Sequence, residues 1–268
     1  MRIVRFEDSS GKVQCGEEVD AGMARPLRGD LYAGPKSAGD PVEIARLLAP
    51  VVPSNIYCIG RNYHDHAAEG GNPIPELPLV FMKPTSTICN PEQPILIPRV
   101  CDDETDFECE LVVVIGKSAK NVPENDALNY VLGYTAGNDV SARKWQTDEA
   151  LCGTQWIRGK GFDTFAPIGP ALVTVDDIPD PDNLDLSTTL NGQVMQSHNT
   201  RDMIFSVRRL ISFLSEDTTL QPGTLIFTGT PQGVGYHRDP RVLLNPGDQV
   251  IVEVEKIGRL VNPVEAAP

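Results

Sequence analysis

Short apolar runs separated by turn residues make up most of the chain from residue 55 onward. They include NIYCIG, LVFM, ILIP, LVVVIG, PALVTV and QVIVEV, and most are rich in β-branched or aromatic residues. Runs of this length and composition predict β-strands. Proline and glycine, 23 of each, lie mainly between the runs. The pattern therefore predicts a mainly β fold with a few helices, not a doubly wound sheet built from regular βαβ repeats.

The first 52 residues are predicted to form a small N-terminal β-rich element that precedes a larger domain over residues 53–268. Two short strands are expected on either side of the turn DSSG. The segment DPVEIARLLAP, residues 40–50, predicts a short helix, because Asp40 can cap its start and Pro50 can end it.

Two further segments are predicted to be helical. One is NDALNYVL, residues 125–132. The stronger one is TRDMIFSVRRLISFLSE, residues 200–216, in which Met203, Val207, Leu210 and Leu214 recur at helical spacing.

The charge and the cysteines restrict the classes of function. A formal net charge of −14 disfavours binding to nucleic acid or to an anionic membrane surface. Six cysteines are scattered without a C-x-x-C pair, so neither a disulfide framework nor a zinc module is indicated. Charges in the opening residues replace the apolar stretch of a signal peptide, and no apolar run reaches the length of a membrane span. These features predict a cytosolic protein.

Two glutamates, Glu108 and Glu110, lie one residue apart where the apolar run LVVVIG begins. On a strand they project to the same face, where their charges repel. A Glu-x-Glu pair is common on the solvated face of a half-buried sheet, but this run has the composition of a strand buried on both faces. The pair therefore predicts a pocket or a bound cation.

A third carboxylate, Asp139, follows the apolar run YVLGYTAGN. An aspartate at this position can simply begin a turn. Together, however, three oxygen donors without histidine or cysteine suit a hard divalent ion, Mg²⁺ first and Mn²⁺ or Ca²⁺ next.

The segment GRNYHDHAAEGG places His66 three residues before Glu69. If DHAAE forms a helical turn, the two side chains share a face, and the carboxylate can orient the imidazole as a proton acceptor. The alternative is an exposed loop histidine beside a glutamate. Glycines at positions 70 and 71 suit a segment that moves as a lid.

Three basic residues lie near apolar runs, and they are candidate ligands for an anionic substrate or plain salt-bridge partners: Lys83, Arg143 and Lys160. The segment FTGTPQGVG adds the hydroxyl of Thr230 and glycine N–H groups that could bind a carboxylate. It lacks the Lys-Ser/Thr ending of a phosphate-binding loop.

The order and spacing of several of these segments resemble the fumarylacetoacetate hydrolase superfamily. The resemblance depends on GRNYHDHAAE, FMKP, the E-x-E pair before LVVVIG, GYTAGNDVSAR, GKGFDTFAPIGP and FTGTPQGVG, and it extends from about residue 55 to the C-terminus. It implies a catalytic domain of mixed β-sandwich and rolled β-sheet type, a divalent cation and a homodimer.

The resemblance also implies roles for residues at matching positions. The metal ligands would be Glu108, Glu110 and Asp139. The catalytic residues would be His66, Glu69 and Lys160. The substrate-binding residues would be Arg143, Gln146 and Thr230, with Lys83 as a weaker case.

Family resemblance leaves the reaction open, because the same scaffold carries out several reactions on small anionic keto acids. The preferred hypothesis is a metal-dependent hydrolase that cleaves a C–C bond in an acylpyruvate, since both members of the His-Glu pair are present. The first alternative is an oxaloacetate decarboxylase or keto–enol tautomerase. The second is a catalytically silent metal-dependent dimer that only binds its ligand.

Overall fold

A computed structural model describes residues 1–71, 73–151 and 155–268. Within these ranges the protein is mainly β with a few short helices, which confirms the predicted fold class. The strands are β1 Arg2–Asp8, β2 Val13–Asp20, β3 Met23–Arg28, β4 Lys36–Ser37, β5 Val42–Leu48, β6 Ile56–Gly60, β7 Leu79–Met82, β8 Ile88–Cys89, β9 Ile95–Ile97, β10 Thr105–Asp106, β11 Cys109–Ile115, β12 Val131–Asn138, β13 Ser141–Ala142, β14 Ala166–Thr174, β15 Asp185–Leu190, β16 Gln193–Asn199, β17 Leu225–Phe227, β18 Gln249–Val254 and β19 Gly258–Ala266.

The helices are short and lie mostly between strands. The α-helices are α1 His64–Glu69, α2 Arg143–Thr147, α3 Trp156–Lys160 and α4 Val207–Ser215. The 3₁₀ helices are Leu31–Ala33, Thr85–Thr87, Glu124–Tyr130, Glu149–Leu151, Thr200–Asp202 and Gly235–His237. Among the described residues, none of these helices combines the length and the apolar character that crossing a bilayer requires.

Two sheets pack against each other and enclose the main core. In the described ranges, a twelve-stranded sheet contains the path β2-β3-β5-β1-β14-β12-β11-β17-β6-β7, and a five-stranded sheet has the order β16-β15-β18-β19-β9. One apolar cluster joins β11 and β12 to β15, β18 and α4. Every residue of β11 is buried, as its apolar run predicted. One face of the strand packs in the cluster with α4 and the five-stranded sheet, and Val112 and Val114 on the other face belong to a second apolar cluster with residues of β1, β6, β14 and β17.

The N-terminal strands extend the large sheet. The predicted hairpin around DSSG is present as β1 and β2, and β1 also pairs with β14, with Arg2 opposite Val173. The division between residues 1–52 and 53–268 stays a prediction.

The predicted helix over residues 40–50 is wrong, because this segment contains strand β5. Strand β5 pairs with β1 and with β3, so its backbone bonds go to neighbouring strands. Asp40 and Pro50 suit the ends of a strand as well as the ends of a helix. The segment forms a strand because the edge of β1 is available for pairing, and this tertiary pairing outweighs the local helix signals.

The other two predicted helices are shorter than expected. NDALNYVL is a 3₁₀ helix up to Tyr130, after which β12 begins. Helix α4 begins only at Val207, capped by the Ser206 hydroxyl. The start is delayed because Asn62 holds the backbone N–H and C=O of Phe205 through its side-chain amide.

Candidate active site

The pairing of β11 with β12 brings Glu108, Glu110 and Asp139 together. These strands are antiparallel with Cys109 opposite Asn138, so the residue after β12 lies opposite the residue before β11. The Asp139 N–H donates to the Glu108 carbonyl over 2.9 Å. The three carboxylates are buried, and one oxygen of each lies within 4.8 Å of the others.

Glu108 is neutralised by two cations. Its carboxylate lies 2.7 Å from Lys160 Nζ and 2.7 Å from Arg143 Nη1. Burial raises the pKa of this carboxyl, but the two cations outweigh burial and lower the pKa to about 2. Glu108 is therefore ionised throughout the neutral range.

Glu110 has no such cation. Its carboxylate accepts a hydrogen bond of 2.7 Å from the Gly229 N–H, and among the described residues no ion pair reaches it. Burial, together with repulsion from Asp139 and Glu108, raises the pKa of Glu110 well above its ordinary value. An ionised Glu110 thus requires a positive partner.

Lys160 and Lys83 approach Asp139 from two sides. Lys160 Nζ bridges Asp139, at 2.8 Å, and Glu108. Lys83 Nζ lies 2.7 Å from Asp139 Oδ1 and donates to the carbonyls of Val140, Lys160 and Phe165. Lys83 does not line the cavity described below, because its ammonium is directed at these four oxygens. The sequence prediction that Lys83 contacts substrate stays a prediction, and the contacts of this lysine favour a position that supports Asp139.

We call this buried network the carboxylate floor. Its acidic members are Asp106, Glu108, Glu110 and Asp139, and its basic members are Lys83, Arg143 and Lys160. Four carboxylates face three cations, so one negative charge is unmatched when all four are ionised. Asp139 Oδ1 also lacks a hydrogen bond of good geometry despite the nearby lysine. An all-oxygen donor set with surplus negative charge fits a hard divalent cation.

Arg143 is held in place by Asp106, a residue that the sequence analysis missed. Asp106 Oδ2 lies 2.9 Å from Arg143 Nε, and Asp106 also accepts the N–H groups of Gly235 and Tyr236. Arg143 Nη1 donates to Gln146 over 2.9 Å. The signal was available, since positions 106, 108 and 110 share the two-residue period of an extended chain.

Thr230 is oriented by Gln196, a second residue that the sequence analysis missed. The Gln196 amide donates to Thr230 Oγ1 and to the Pro231 carbonyl, and its oxygen accepts the Cys109 N–H and the Thr188 hydroxyl. No local pattern marks Gln196, because these contacts join strands that are distant in the sequence.

The predicted helical turn is present as α1, and it pairs His66 with Glu69. His66 Nδ1 lies 2.8 Å from Glu69 Oε1, and Glu69 Oε2 accepts the Gly233 N–H over 3.0 Å. Burial raises the pKa of Glu69, but these hydrogen bonds bring it below its ordinary value, so Glu69 is an anion at neutral pH. The ring of His237, which the sequence analysis left without a role, lies 6.1 Å from that of His66.

A cavity of about 890 Å³ opens between the floor and α1. The predicted site residues that line it are His66, Glu108, Asp139, Arg143, Gln146, Lys160 and Thr230. Its apolar wall comes from strand β7 and helix α3. Arg61, His66 and Trp156 lie around this cavity, and we call these three residues the rim.

Proteins of known sequence resemble the chain over most of its length. A fumarylacetoacetate hydrolase domain-containing protein 2 homolog from Dictyostelium discoideum is 50% identical over 84% of this chain and 76% of that protein. The mitochondrial oxaloacetate tautomerase FAHD2A from Bos taurus is 47% identical over 93% of this chain and 77% of that protein.

The predicted cytosolic location is contradicted by these relatives, several of which are named as mitochondrial. The prediction depended on the scattered cysteines and on the lack of an apolar stretch of signal-peptide or membrane-span type. The five described cysteines are unpaired, and Cys152 lies outside the described residues. Unpaired thiols indicate a reducing compartment and do not identify which one.

Solved structures and a family model agree with the sequence relatives. A structure named as 2-hydroxyhepta-2,4-diene-1,7-dioate isomerase from Mycobacterium marinum is 38% identical, with a TM-score of 0.85 over 99% of this chain and 98% of that chain. The model for the C-terminal domain of fumarylacetoacetate (FAA) hydrolase matches residues 55–265. The chain therefore belongs to the fumarylacetoacetate hydrolase family.

Proposed function

We propose that the protein is a divalent-cation-dependent oxaloacetate tautomerase, an enzyme that interconverts the keto and enol forms of this small 2-oxo acid. The observation that carries the proposal is that one cavity is lined by two members of the all-oxygen cation site, Glu108 and Asp139, and by His66, the imidazole of the His-Glu pair. Relatives named as oxaloacetate tautomerases at 46–48% identity support the same reaction.

The carboxylate floor would hold the cation through Glu108, Glu110 and Asp139, with Mg²⁺ as the first candidate and Mn²⁺ or Ca²⁺ as others. When bound, the cation supplies a Lewis acid that stabilises negative charge on the oxygens of a 2-oxo acid. Lys160 lines the cavity and keeps its own charge: burial lowers its pKa, but Asp139 and Glu108 outweigh burial and raise it.

His66 is the proposed proton-transfer residue. Glu69 engages Nδ1, so the ring is oriented and Nε2 is the nitrogen that takes up or returns a proton. Glu69 also stabilises the imidazolium that forms when His66 accepts the proton. Tautomerisation needs such a transfer between C3 and the 2-oxo oxygen.

Gln146 and Thr230 are proposed to bind the oxygens of the substrate, because both line the cavity with uncharged hydrogen-bonding groups. Arg143 contributes positive charge beside them. Lys83 positions Asp139 and takes no direct part in substrate binding.

The comparisons favour tautomerisation over the hydrolysis that the sequence analysis preferred. Both reactions use the same cavity, and they differ in the need for an activated water. The His-Glu pair is compatible with either one, since it can deprotonate a carbon acid or a water.

A second candidate reaction is isomerisation of a longer unsaturated dicarboxylic acid, and the size of the cavity favours it. A volume of 890 Å³ lies near the top of the range of about 300–1,000 Å³ for pockets that bury drug-sized ligands. A four-carbon acid fills only part of that space. The similar structure named as a heptadienedioate isomerase supports this candidate.

The experiment that tests the proposal supplies oxaloacetate as its enol and follows the loss of enol absorbance with and without protein. Mg²⁺, Mn²⁺ and Ca²⁺ are compared with a chelator, and acetylpyruvate, fumarylpyruvate and the seven-carbon dienedioate are tested in parallel. The proposal expects cation-dependent ketonisation of oxaloacetate without release of CO₂. Cleavage of an acylpyruvate at a higher rate than ketonisation of oxaloacetate would contradict the proposal and support the hydrolase hypothesis.

The His66→Asn variant tests the proton-transfer role separately. Asparagine cannot accept a proton, so turnover should fall by about 100- to 10,000-fold. The floor is untouched, and the rise in unfolding temperature caused by Mg²⁺ should remain. Unchanged turnover would remove His66 from the mechanism.

We also propose that the chain forms a homodimer, as the family resemblance implies. Three apolar side chains, Ile74, Leu77 and Leu79, are exposed at or near β7, which lies at the end of the strand path of the large sheet. Light scattering during gel filtration would test this, and a monomer at micromolar concentration would contradict it.

A further inference from the structure

Arg61 occupies a strained position at the mouth of the cavity. It follows β6 directly and has a φ of 54°, in the left-handed region that residues other than glycine rarely adopt. Its guanidinium lies over the ring of Trp156, 5.8 Å from the ring centroid. The neighbouring backbone is tightly packed as well, since a Cβ on Gly60 would lie 2.5 Å from Trp156.

The charge of Arg61 is unmatched in the described part of the chain. Lys160 and Arg143 also line the cavity, but their charges are balanced by carboxylates of the floor. No carboxylate among the described residues lies within ion-pair distance of Arg61, and its contact is with an aromatic face. Arg61 therefore remains available to an anion that enters the cavity.

A planar guanidinium is suited to bind a carboxylate through two parallel hydrogen bonds. The cation–π contact with Trp156 restricts the side chain before ligand binds, which reduces the entropy lost on binding. The floor already accounts for the 2-oxo acid end of the proposed substrate. A second carboxylate at the other end of that substrate would be poorly solvated beside the apolar wall unless a cation bound it.

We propose that Arg61 binds the substrate carboxylate that is distal to the 2-oxo group, and that it makes the site selective for dicarboxylic 2-oxo acids. This inference rests on the proposed function and deepens it. It covers oxaloacetate and the longer diacids alike, because both carry a carboxylate at each end.

A binding experiment tests Arg61 without requiring turnover. The probes are 2-oxoglutarate and 2-oxopentanoate, which have the same carbon chain and differ in the terminal carboxylate. Their dissociation constants are measured by calorimetry in Mg²⁺ for the wild type and for Arg61→Met, Arg61→Lys and Arg158→Met. Arg158 is the matched control, because its guanidinium also lies over aromatic rings, those of Trp145 and Phe162, but does not line the cavity.

The wild type and Arg158→Met should bind 2-oxoglutarate at least about 10-fold more tightly than 2-oxopentanoate. Arg61→Met should lose this preference while its affinity for 2-oxopentanoate is unchanged, which also shows that the variant is folded. Arg61→Lys should keep part of the preference, because the positive charge remains but the two parallel hydrogen bonds of the guanidinium are lost. A wild type without the preference, or an Arg61→Met variant that retains it, would overturn the inference.

A turnover experiment separates this inference from the proposed function. Oxaloacetate is compared with its 4-ethyl ester, which keeps the 2-oxo acid end and removes the distal charge. Loss of Arg61 should lower kcat/KM for oxaloacetate at least about 10-fold and leave the value for the ester unchanged. Tautomerisation at equal kcat/KM for both compounds would leave the function standing and overturn the role of Arg61. If neither compound reacts while diacid binding depends on Arg61, the proposed function fails and the inference stands.

Discussion

The carboxylate floor and the rim of the same cavity are built in opposite ways. The floor is carried mainly by strand ends that pair with each other, and its charged side chains are buried and contact two or more partners, with Glu110 as the exception. The rim lies on short helices and on the turn after β6, and Arg61 and His66 are partly exposed.

This difference predicts that substitutions in the floor and in the rim affect different properties, namely the stability of the fold and the selectivity for substrate. Removing a member of the floor other than Glu110 leaves a buried charge without one of its partners, which costs several kcal/mol. Removing a rim side chain exposes little that was paired, so the fold should tolerate the change. The floor should therefore govern cation binding and unfolding, whereas the rim should govern proton transfer and the choice of substrate.

The largest effect is expected at Glu110, the floor residue that has no cation of its own. Glu110→Gln should lower cation-dependent turnover by about 1,000-fold or more, because one ligand and the surplus negative charge are lost. Stability in chelator should stay the same or rise, since the amide can still accept the Gly229 N–H and carries no buried charge. Turnover and urea unfolding measure the two effects.

Glu108→Gln is the matched control for this substitution. It also removes a cation ligand, but it takes from Lys160 and from Arg143 one of the two carboxylates that each contacts, so the free energy of unfolding in chelator should fall by about 3–5 kcal/mol. Equal stability losses in the two variants would contradict the distinction between a matched and an unmatched glutamate.

The next effect is expected for Lys83→Met. The substitution removes the ammonium that contacts Asp139 and three backbone carbonyls, and the free energy of unfolding should fall by about 3–5 kcal/mol. Lys117→Met is the control, because Lys117 is exposed and its replacement should change stability by less than about 0.5 kcal/mol. A stable Lys83→Met variant with weakened substrate binding would instead support the role first predicted from sequence.

Sequence reasoning predicted the floor better than the rim, for a physical reason. The two-residue period of a strand places Glu108 and Glu110 together, and the run that ends at Asp139 forms the neighbouring strand. The family resemblance added roles at matching positions. Asp106 was missed, although it lies two residues before Glu108, because the two-residue period was traced only forward from Glu108 into the apolar run.

The remaining features depend on contacts between distant segments. The three carbonyls around Lys83, the contacts of Gln196 and the unmatched charge of Arg61 are set by the tertiary fold and leave no mark on nearby residues. The same holds for residues 40–50, whose end signals suited a helix until β1 and β3 provided strand partners. A local sequence pattern therefore predicts which residues meet only in one case. The two elements must be neighbours that pair in a register that the pattern itself indicates.

The smallest of these effects concerns acid stability and compares the two glutamates again. The pKa of Glu108 is about 2 in the folded protein against an ordinary 4.5, which corresponds to about 3 kcal/mol. Because the folded value is depressed, this stabilisation is complete above pH 4.5 and is lost as the pH falls from 4.5 towards 2. Glu110 has a raised pKa, so its contribution has the opposite sign: it is present below pH 4.5 and is lost as the pH rises.

Urea unfolding in chelator at pH values between 3 and 7 tests both signs. Glu108→Gln should show a flatter loss of stability below pH 4.5 than the wild type, because its side chain no longer takes up a proton on unfolding. Glu110→Gln should still lose stability below pH 4.5, as the wild type does, and it should become more stable relative to the wild type as the pH rises towards 7. If both variants follow the wild-type curve, the ion pairs of Glu108 and the isolation of Glu110 do not control the pH dependence, and the contrast between them would have to be abandoned.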